Sequence, residues 1–85
     1  MPRLLTDRQG DVLFLLCEGM TRAEAAAALG LTPARVSTHL TRALVRLGSG
    51  TPAERRARAL DDLAAAAQRA RRRAETPQDE TTAPE

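Results

Sequence analysis

The chain has 85 residues, 42% of them hydrophobic and 28% charged, with a formal net charge of +2. A chain of this length is expected to form one domain that buries roughly 60% of the surface its unfolded form exposes, which excludes a deep active-site cleft. Phe14 is the sole aromatic residue, so the core must be built from Leu, Val and Ala. Such a core favours close-packed helices over a sheet.

The reactive side chains are too few for catalysis or for a metal site. The sequence contains one histidine, His39, and one cysteine, Cys17, which we expect on the core side of the first helix. One thiol makes no disulfide framework and no metal-ligand spacing. We therefore predict a protein that is not an enzyme and holds no metal, cofactor or small-molecule ligand.

The charge is unevenly placed along the chain. All 13 basic residues are arginine, whereas three acidic residues, Asp79, Glu80 and Glu85, fall within residues 76–85. Without that segment the net charge is +5, which is typical of a protein with a nucleic-acid partner. The segment is polar and punctuated by proline, so we predict that it is a disordered acidic tail. The sequence has no signal peptide and no apolar run long enough to span a membrane, and we expect a cytoplasmic protein.

Helix starts and stops are legible in the sequence. A threonine followed three residues later by Glu or Gln is a capping box, and such pairs are Thr6/Gln9, Thr21/Glu24 and Thr51/Glu54. Thr32-Pro33 is an N-cap followed by proline at the first helical position. Glycines that follow apolar-periodic stretches mark the ends, at Gly19, Gly30 and Gly48. These signals predict four helices, over 7–18, 22–29, 33–47 and 52–74, and no strand.

The second and third predicted helices carry the pattern of a helix-turn-helix. This motif needs a small residue where the helices meet, a glycine in the turn, and apolar residues that set the angle between the helices. Ala26 and Gly30 are the first two. The apolar set is Ala25, Leu29, Leu31, Val36 and Leu40. The fold class is therefore all-α, with a tri-helical core over residues 1–50 and an extended C-terminal helix over 51–75. In this geometry the third helix enters a DNA major groove.

The segment from Leu5 to Gly48 resembles, without a gap, the DNA-binding domain of LuxR-type regulators. The most specific matches are Leu5-Thr6, Arg8, Val12-Leu13, Glu18-Gly19, Glu24, Ala26, Leu29-Gly30, Val36, His39, Leu44 and Leu47-Gly48. The resemblance implies a four-helix domain that often dimerises through its fourth helix, with region four of sigma factors as the nearest relative. Family members usually carry a sensor domain ahead of this module; because the module begins here at residue 5, we expect none.

The face that would read DNA departs from the family pattern. The family often has lysine after the valine of the third helix, where this chain has Ser37, and Thr41 and Arg35 differ as well. Hydroxyl groups discriminate bases less sharply than bidentate basic side chains. The predicted DNA-binding residues are Thr21, Arg22, Thr32, Arg35, Ser37, Thr38, His39, Thr41, Arg42 and Arg46.

Two features predict a protein contact. The fourth helix has a heptad-like seam of mostly small residues, which predicts a homodimer. On the first helix, Phe14 is apolar where the family is polar, and Gly10 lies one turn earlier on the same face. Either the fourth helix folds back over Phe14, or Phe14 contacts a partner. The predicted dimer or partner contacts are Gly10, Phe14, Ala53, Ala57, Leu60, Leu63, Ala64 and Ala67.

The sequence thus predicts a small standalone transcription regulator that binds double-stranded DNA through the third helix, as a homodimer. The alternative is a protein-interaction module that binds RNA polymerase, a sigma factor or another regulator. Ser37 and the apolar Phe14 favour this alternative.

Overall fold

The computed structural model describes residues 3–75, and these residues form five α-helices and no strand. The predicted all-α fold is confirmed. In chain order the helices are α1 (Asp7–Cys17), α2 (Arg22–Leu29), α3 (Pro33–Leu47), α4 (Pro52–Arg58) and α5 (Leu60–Glu75). The predicted acidic tail, residues 76–85, lies outside the described residues. No helix within residues 3–75 is long and apolar enough to cross a membrane.

Threonine caps begin the first four helices, as the sequence predicts. At α1 the Gln9 amide donates to Thr6 Oγ1 at 3.1 Å, and the Thr6 amide donates to Gln9 Oε1 at the same distance. The same reciprocal pair of bonds forms at Thr21 and at Thr51, while Thr32 accepts from the Arg35 amide. Each capping box satisfies two backbone donors, which explains why these boundaries are readable from sequence.

The core consists of two apolar clusters that share α1 and α3. The first joins α1 to the helix-turn-helix and contains Val12, Leu15, Ala25, Ala26, Leu29 and Val36. The second joins α1, the end of α3 and the chain between α4 and α5, and contains Leu5, Leu13, Ala43, Leu47 and Ala59. Leu40 packs against both clusters, so α3 is held along its length.

The prediction of one continuous fourth helix is wrong, because the chain turns at Ala59. That residue closes α4 with φ −99° and ψ 14°, and its amide donates to the Arg55 and Arg56 carbonyls. Neither glycine nor proline marks the break in the sequence. Ala59 is fully buried in the second cluster, whereas α4 has no buried residue. The turn therefore follows from tertiary packing, since it directs α5 along α1.

Charged residues hold α5 on α1. The buried Asp62 accepts hydrogen bonds from the Leu4 and Leu5 amides, each at 3.0 Å. One turn beyond Ala66, Arg69 Nε donates to the buried carboxylate of Asp11 at 2.8 Å. The inward face of α5 thus runs through Asp62, Ala66 and Arg69. The predicted dimer seam, which includes Leu60 and Ala64, lies on a different side of the helix.

The predicted contact residues are divided between the interior and the surface. Gly10 is buried under α5 of the same chain, so the close approach expected there is made within the molecule and not by a partner. Phe14 is half-buried and packs against the first cluster. Leu63 packs against the second cluster, and Ala67 is half-buried. The four that remain exposed are Ala53, Ala57, Leu60 and Ala64.

Replacing Gly10 by alanine is expected to stabilise the fold by about 0.5–1 kcal/mol. An added Cβ would lie 3.5 Å from Arg69 Nη2 and from the Asp62 carbonyl oxygen, which is ordinary van der Waals contact. Alanine then gains helix propensity at no steric cost. Urea denaturation followed by circular dichroism measures the change. Gly10→Leu is the contrasting variant, since it must displace α5 and should destabilise the protein.

Candidate nucleic-acid interface

The helix-turn-helix is formed by α2 and α3, joined at Gly30. This glycine closes α2 in the left-handed conformation, with φ +70° and ψ 33°, and its amide donates to the Ala26 carbonyl. Ala25, Ala26 and Val36 are buried where the two helices meet, with at most 2% of their surfaces exposed. The burial of these three residues confirms that they lie at the predicted contact between the two helices. One side of α3 is fixed to α2 and α1, which leaves the opposite side for solvent.

The solvent side of α3 gathers most of the predicted DNA-binding residues. We call this surface the recognition face, and it consists of Arg35, Ser37, Thr38, His39, Thr41 and Arg42. Two adjacent shallow depressions lie on it, with volumes of about 220 and 260 Å³, and both are lined by Thr38 and Arg42. Arg35 and His39 complete the first, and Ser37 and Thr41 the second. The structure thus brings all six residues onto one continuous surface.

Two arginines of the recognition face have no protein partner. Within residues 3–75, neither Arg35 nor Arg42 makes a hydrogen bond or ion pair through its guanidinium group, and the same holds for Arg22 at the start of α2. All three side chains are exposed. This contrasts with Arg69 and Arg58, which bind carboxylate or carbonyl oxygens of their own chain. An unpaired guanidinium offers five N–H donors to a phosphate or to a guanine edge.

The hydroxyl groups of this region are partly engaged by the backbone. Thr38 Oγ1 donates to the Ala34 carbonyl at 3.1 Å, which leaves the oxygen as an acceptor toward a ligand. The hydroxyl oxygens of Thr21 and Thr32 accept from backbone amides in their capping roles, while their own O–H groups remain free to donate. These two threonines lie at the starts of α2 and α3, where exposed backbone amides favour anions.

Arg46, also predicted to contact DNA, makes a hydrogen bond within the protein. Its Nε donates to the Leu4 carbonyl at 2.8 Å, which ties the last turn of α3 to the segment before α1. Arg46 lines neither depression of the recognition face. Its DNA contact therefore stays a prediction, and its Nε is already bound to the N-terminal segment. Spacing along α3 did not reveal this bond, which depends on the fold of a segment 42 residues away.

An apolar groove beside the recognition face was not predicted. It has a volume of about 110 Å³ and lies between the end of α1, the end of α3 and α4. Its lining residues are Leu13, Cys17, Leu44, Leu47, Pro52, Arg55 and Arg56. Cys17 is exposed in this groove and not on the core side of α1, so that expectation is wrong. Val45, on the outer side of α3, is also 74% exposed.

The family of this domain follows from a match to the model of sigma-70, region 4, over residues 3–47. The matched segment is just over half of the chain and contains α1, α2 and α3 entire. The chain belongs to the sigma-70 region 4 family. Helix-turn-helix domains of this family bind DNA and the RNA polymerase core. No curated protein and no solved structure matches the chain.

The match changes one part of the sequence interpretation. The match supports a helix-turn-helix of the sigma region 4 kind, which the sequence identified as the nearest relative, and not specifically one of the LuxR type. The matched segment ends at Leu47, the last residue of α3. Helices α4 and α5, and with them the buried contacts of Ala59 and Asp62, therefore lie beyond the part that the family match describes.

Proposed function

We propose that this region 4 domain is a transcription regulator that binds duplex DNA by inserting α3 into the major groove. The observation that carries the proposal is the recognition face, where two exposed, unpaired arginines flank a row of hydroxyl groups on the solvent side of a helix locked by its partner. Binding rather than catalysis is the proposed activity.

Arginine supplies both affinity and base recognition in this proposal. Arg35 lies in the first turn of α3 and Arg42 two turns further, so about 10 Å of helix separates them. Each guanidinium fits the O6 and N7 atoms of guanine or a backbone phosphate. Between them, Thr38 and Thr41 present hydroxyl and methyl groups, which bind bases with less discrimination. Arg22 and the amides at the start of α2 suit a phosphate on the adjoining strand.

Selection of bound sites from random duplex DNA tests the proposal directly. Enrichment of a short motif is the expected result, and a binding constant that falls with salt should accompany it. With about five phosphate contacts, the slope of log K against log salt is expected to be near −4 to −5. No enrichment together with no salt-dependent binding would refute DNA binding.

The proposal includes a homodimer formed through the outer side of α4 and α5, as in LuxR-type regulators. Leu60 supports it, because 64% of its surface is exposed. Ala53 and Ala57 on α4 and Ala64 on α5 are also exposed, and such small residues would allow a second copy to approach closely. The intramolecular packing of α5 uses Asp62, Ala66 and Arg69, so it leaves these four residues for a second copy.

Leu60→Glu is expected to convert a dimer into a monomer in analytical ultracentrifugation at micromolar concentration. A carboxylate at the centre of an apolar contact is costly to bury, whereas the monomer tolerates it on an exposed position. Ser49→Glu in the turn before α4 is the control and should leave the mass unchanged. A wild-type protein that sediments as a monomer at this concentration contradicts the dimer.

The second candidate function is binding to RNA polymerase or another protein of the transcription machinery. The groove beside α3 favours it, because Leu44 and Cys17 form an apolar floor while Arg55 and Arg56 add positive charge at one side. An apolar helix bearing carboxylates would suit this groove. The site selection separates the two candidates, since a protein-binding module enriches no DNA motif.

A further inference from the structure

The outermost edge of α3 is formed by side chains that carry methyl groups, and we call it the methyl ridge. It consists of Thr38, Thr41 and Val45. All three are exposed, Val45 by 74% of its surface. Each lies two residues from a buried residue of the same helix, and these buried residues are Val36, Ala43 and Leu47. Two residues correspond to about 200° around a helix, so the methyl ridge points away from the core.

The first part of the methyl ridge borders one depression of the recognition face. Thr38 and Thr41 line it together with Arg42. Thr38 Oγ1 donates to the Ala34 carbonyl at 3.1 Å, which directs the hydroxyl toward the preceding turn of the helix. Thr38 therefore presents its methyl group, rather than a hydroxyl donor, to a ligand. Val45 lies about one turn beyond Thr41 and offers methyl groups only.

The composition of α3 limits which bases it can recognise directly. The helix reads PARVSTHLTRALVRL, so it has no Asn or Gln for adenine and no Asp or Glu for cytosine. The groups on its exposed edge that distinguish bases are arginine, which suits guanine, and methyl groups, which suit the C5-methyl of thymine. Thr38, Thr41, Arg42 and Val45 have the spacing i, i+3, i+4 and i+7. Recognition helices of other folds read bases with this spacing.

We propose that the methyl ridge recognises thymine through its C5-methyl group. The protein then selects duplex sites in which thymines face Thr38, Thr41 and Val45, close to a guanine bound by Arg42. An A·T pair is thus recognised from its thymine and a G·C pair from its guanine. This inference rests on the proposed function, because it requires that α3 lies in the major groove, and it adds which bases are selected there.

Replacing thymines by deoxyuridine, one at a time, tests the proposal on the DNA. The duplex is a site enriched in the selection from random DNA, and deoxyuridine differs from thymidine only by lacking the C5-methyl group. At a thymine that faces the ridge, the affinity measured by fluorescence anisotropy is expected to fall about fourfold, which is the effect of one buried methyl group. The loss should be equal at low and high salt, because this contact involves no phosphate.

Two variants of Thr41 separate the effect of its methyl group from that of its hydroxyl group. Thr41→Ser removes the methyl, so deoxyuridine at the facing thymine should cause no additional loss in this variant. Thr41→Val keeps a methyl and removes the hydroxyl, so the fourfold loss should persist. Thr51→Ser is the control, since it also removes one methyl but retains the capping oxygen of α4, and it should show the same deoxyuridine loss as the wild type.

The outcomes distinguish this inference from the DNA-binding proposal. A protein that binds duplex DNA but enriches no thymine, or loses no affinity with deoxyuridine, refutes the methyl ridge alone. A fourfold loss that is unchanged in both Thr41→Ser and Val45→Ala also refutes it, because the thymine methyl is then read by another part of the protein. The absence of any salt-dependent DNA binding refutes the proposed function, and the methyl ridge with it.

Discussion

Asp62→Ala is expected to destabilise the protein by about 2–4 kcal/mol. The Asp62 side chain is 2% exposed, and its two oxygens accept from the Leu4 and Leu5 amides at 3.0 Å, with Arg3 Nε at 3.6 Å. Alanine leaves both amides without an acceptor, and an unsatisfied buried donor costs about 1–3 kcal/mol. In a domain of this size, such a loss lowers the melting temperature by about 10–25 °C. Far-ultraviolet circular dichroism measures the melt.

Two further variants make this expectation specific to the carboxylate. Asp62→Asn keeps the shape and one acceptor oxygen, so about half of the loss is expected. Glu18→Ala, on the exposed surface after α1, should change stability by no more than about 0.5 kcal/mol. A loss below about 1 kcal/mol for Asp62→Ala would show that the attachment of α5 to the N-terminal segment contributes little.

Arg35→Ala and Arg42→Ala are each expected to weaken DNA binding by about tenfold or more, which corresponds to about 1–3 kcal/mol per contact. The two sites are about 10 Å apart on α3 and share no partner, so the double variant should lose about 100-fold. Fluorescence anisotropy with a labelled duplex measures the affinity. The salt slope then tells the roles apart, because loss of a phosphate contact reduces its magnitude by about 1, whereas loss of a base contact relaxes sequence preference.

Arg71→Ala is the matched control for these variants. Arg71 is also exposed and makes no hydrogen bond or ion pair within residues 3–75, but it lies on α5, away from the recognition face. The Arg71→Ala substitution removes the same charge as Arg35→Ala and Arg42→Ala. A general electrostatic effect would therefore weaken DNA binding equally in all three single variants. An equal loss for Arg71→Ala would contradict recognition through α3.

The sequence by itself determined the first three helices and the helix-turn-helix, because both depend on local chemistry. Capping boxes at Thr6, Thr21 and Thr51 satisfy backbone donors within one turn, and Gly30 supplies the left-handed residue that ends α2. The 3.6-residue period also placed Val36 inward and Arg42 outward on α3. The recognition face was therefore predictable, since its members share one side of a single helix.

Only the tertiary structure decided how α5 packs and which side chains are engaged in contacts within the protein. Ala59 looks like any other alanine in a helical stretch, and the chain turns there because its Cβ is buried between α1 and α3. The buried Asp62 accepts from the Leu4 and Leu5 amides, and Arg46 Nε donates to the Leu4 carbonyl. These bonds join residues 42 to 58 positions apart, so no local pattern in the sequence records them.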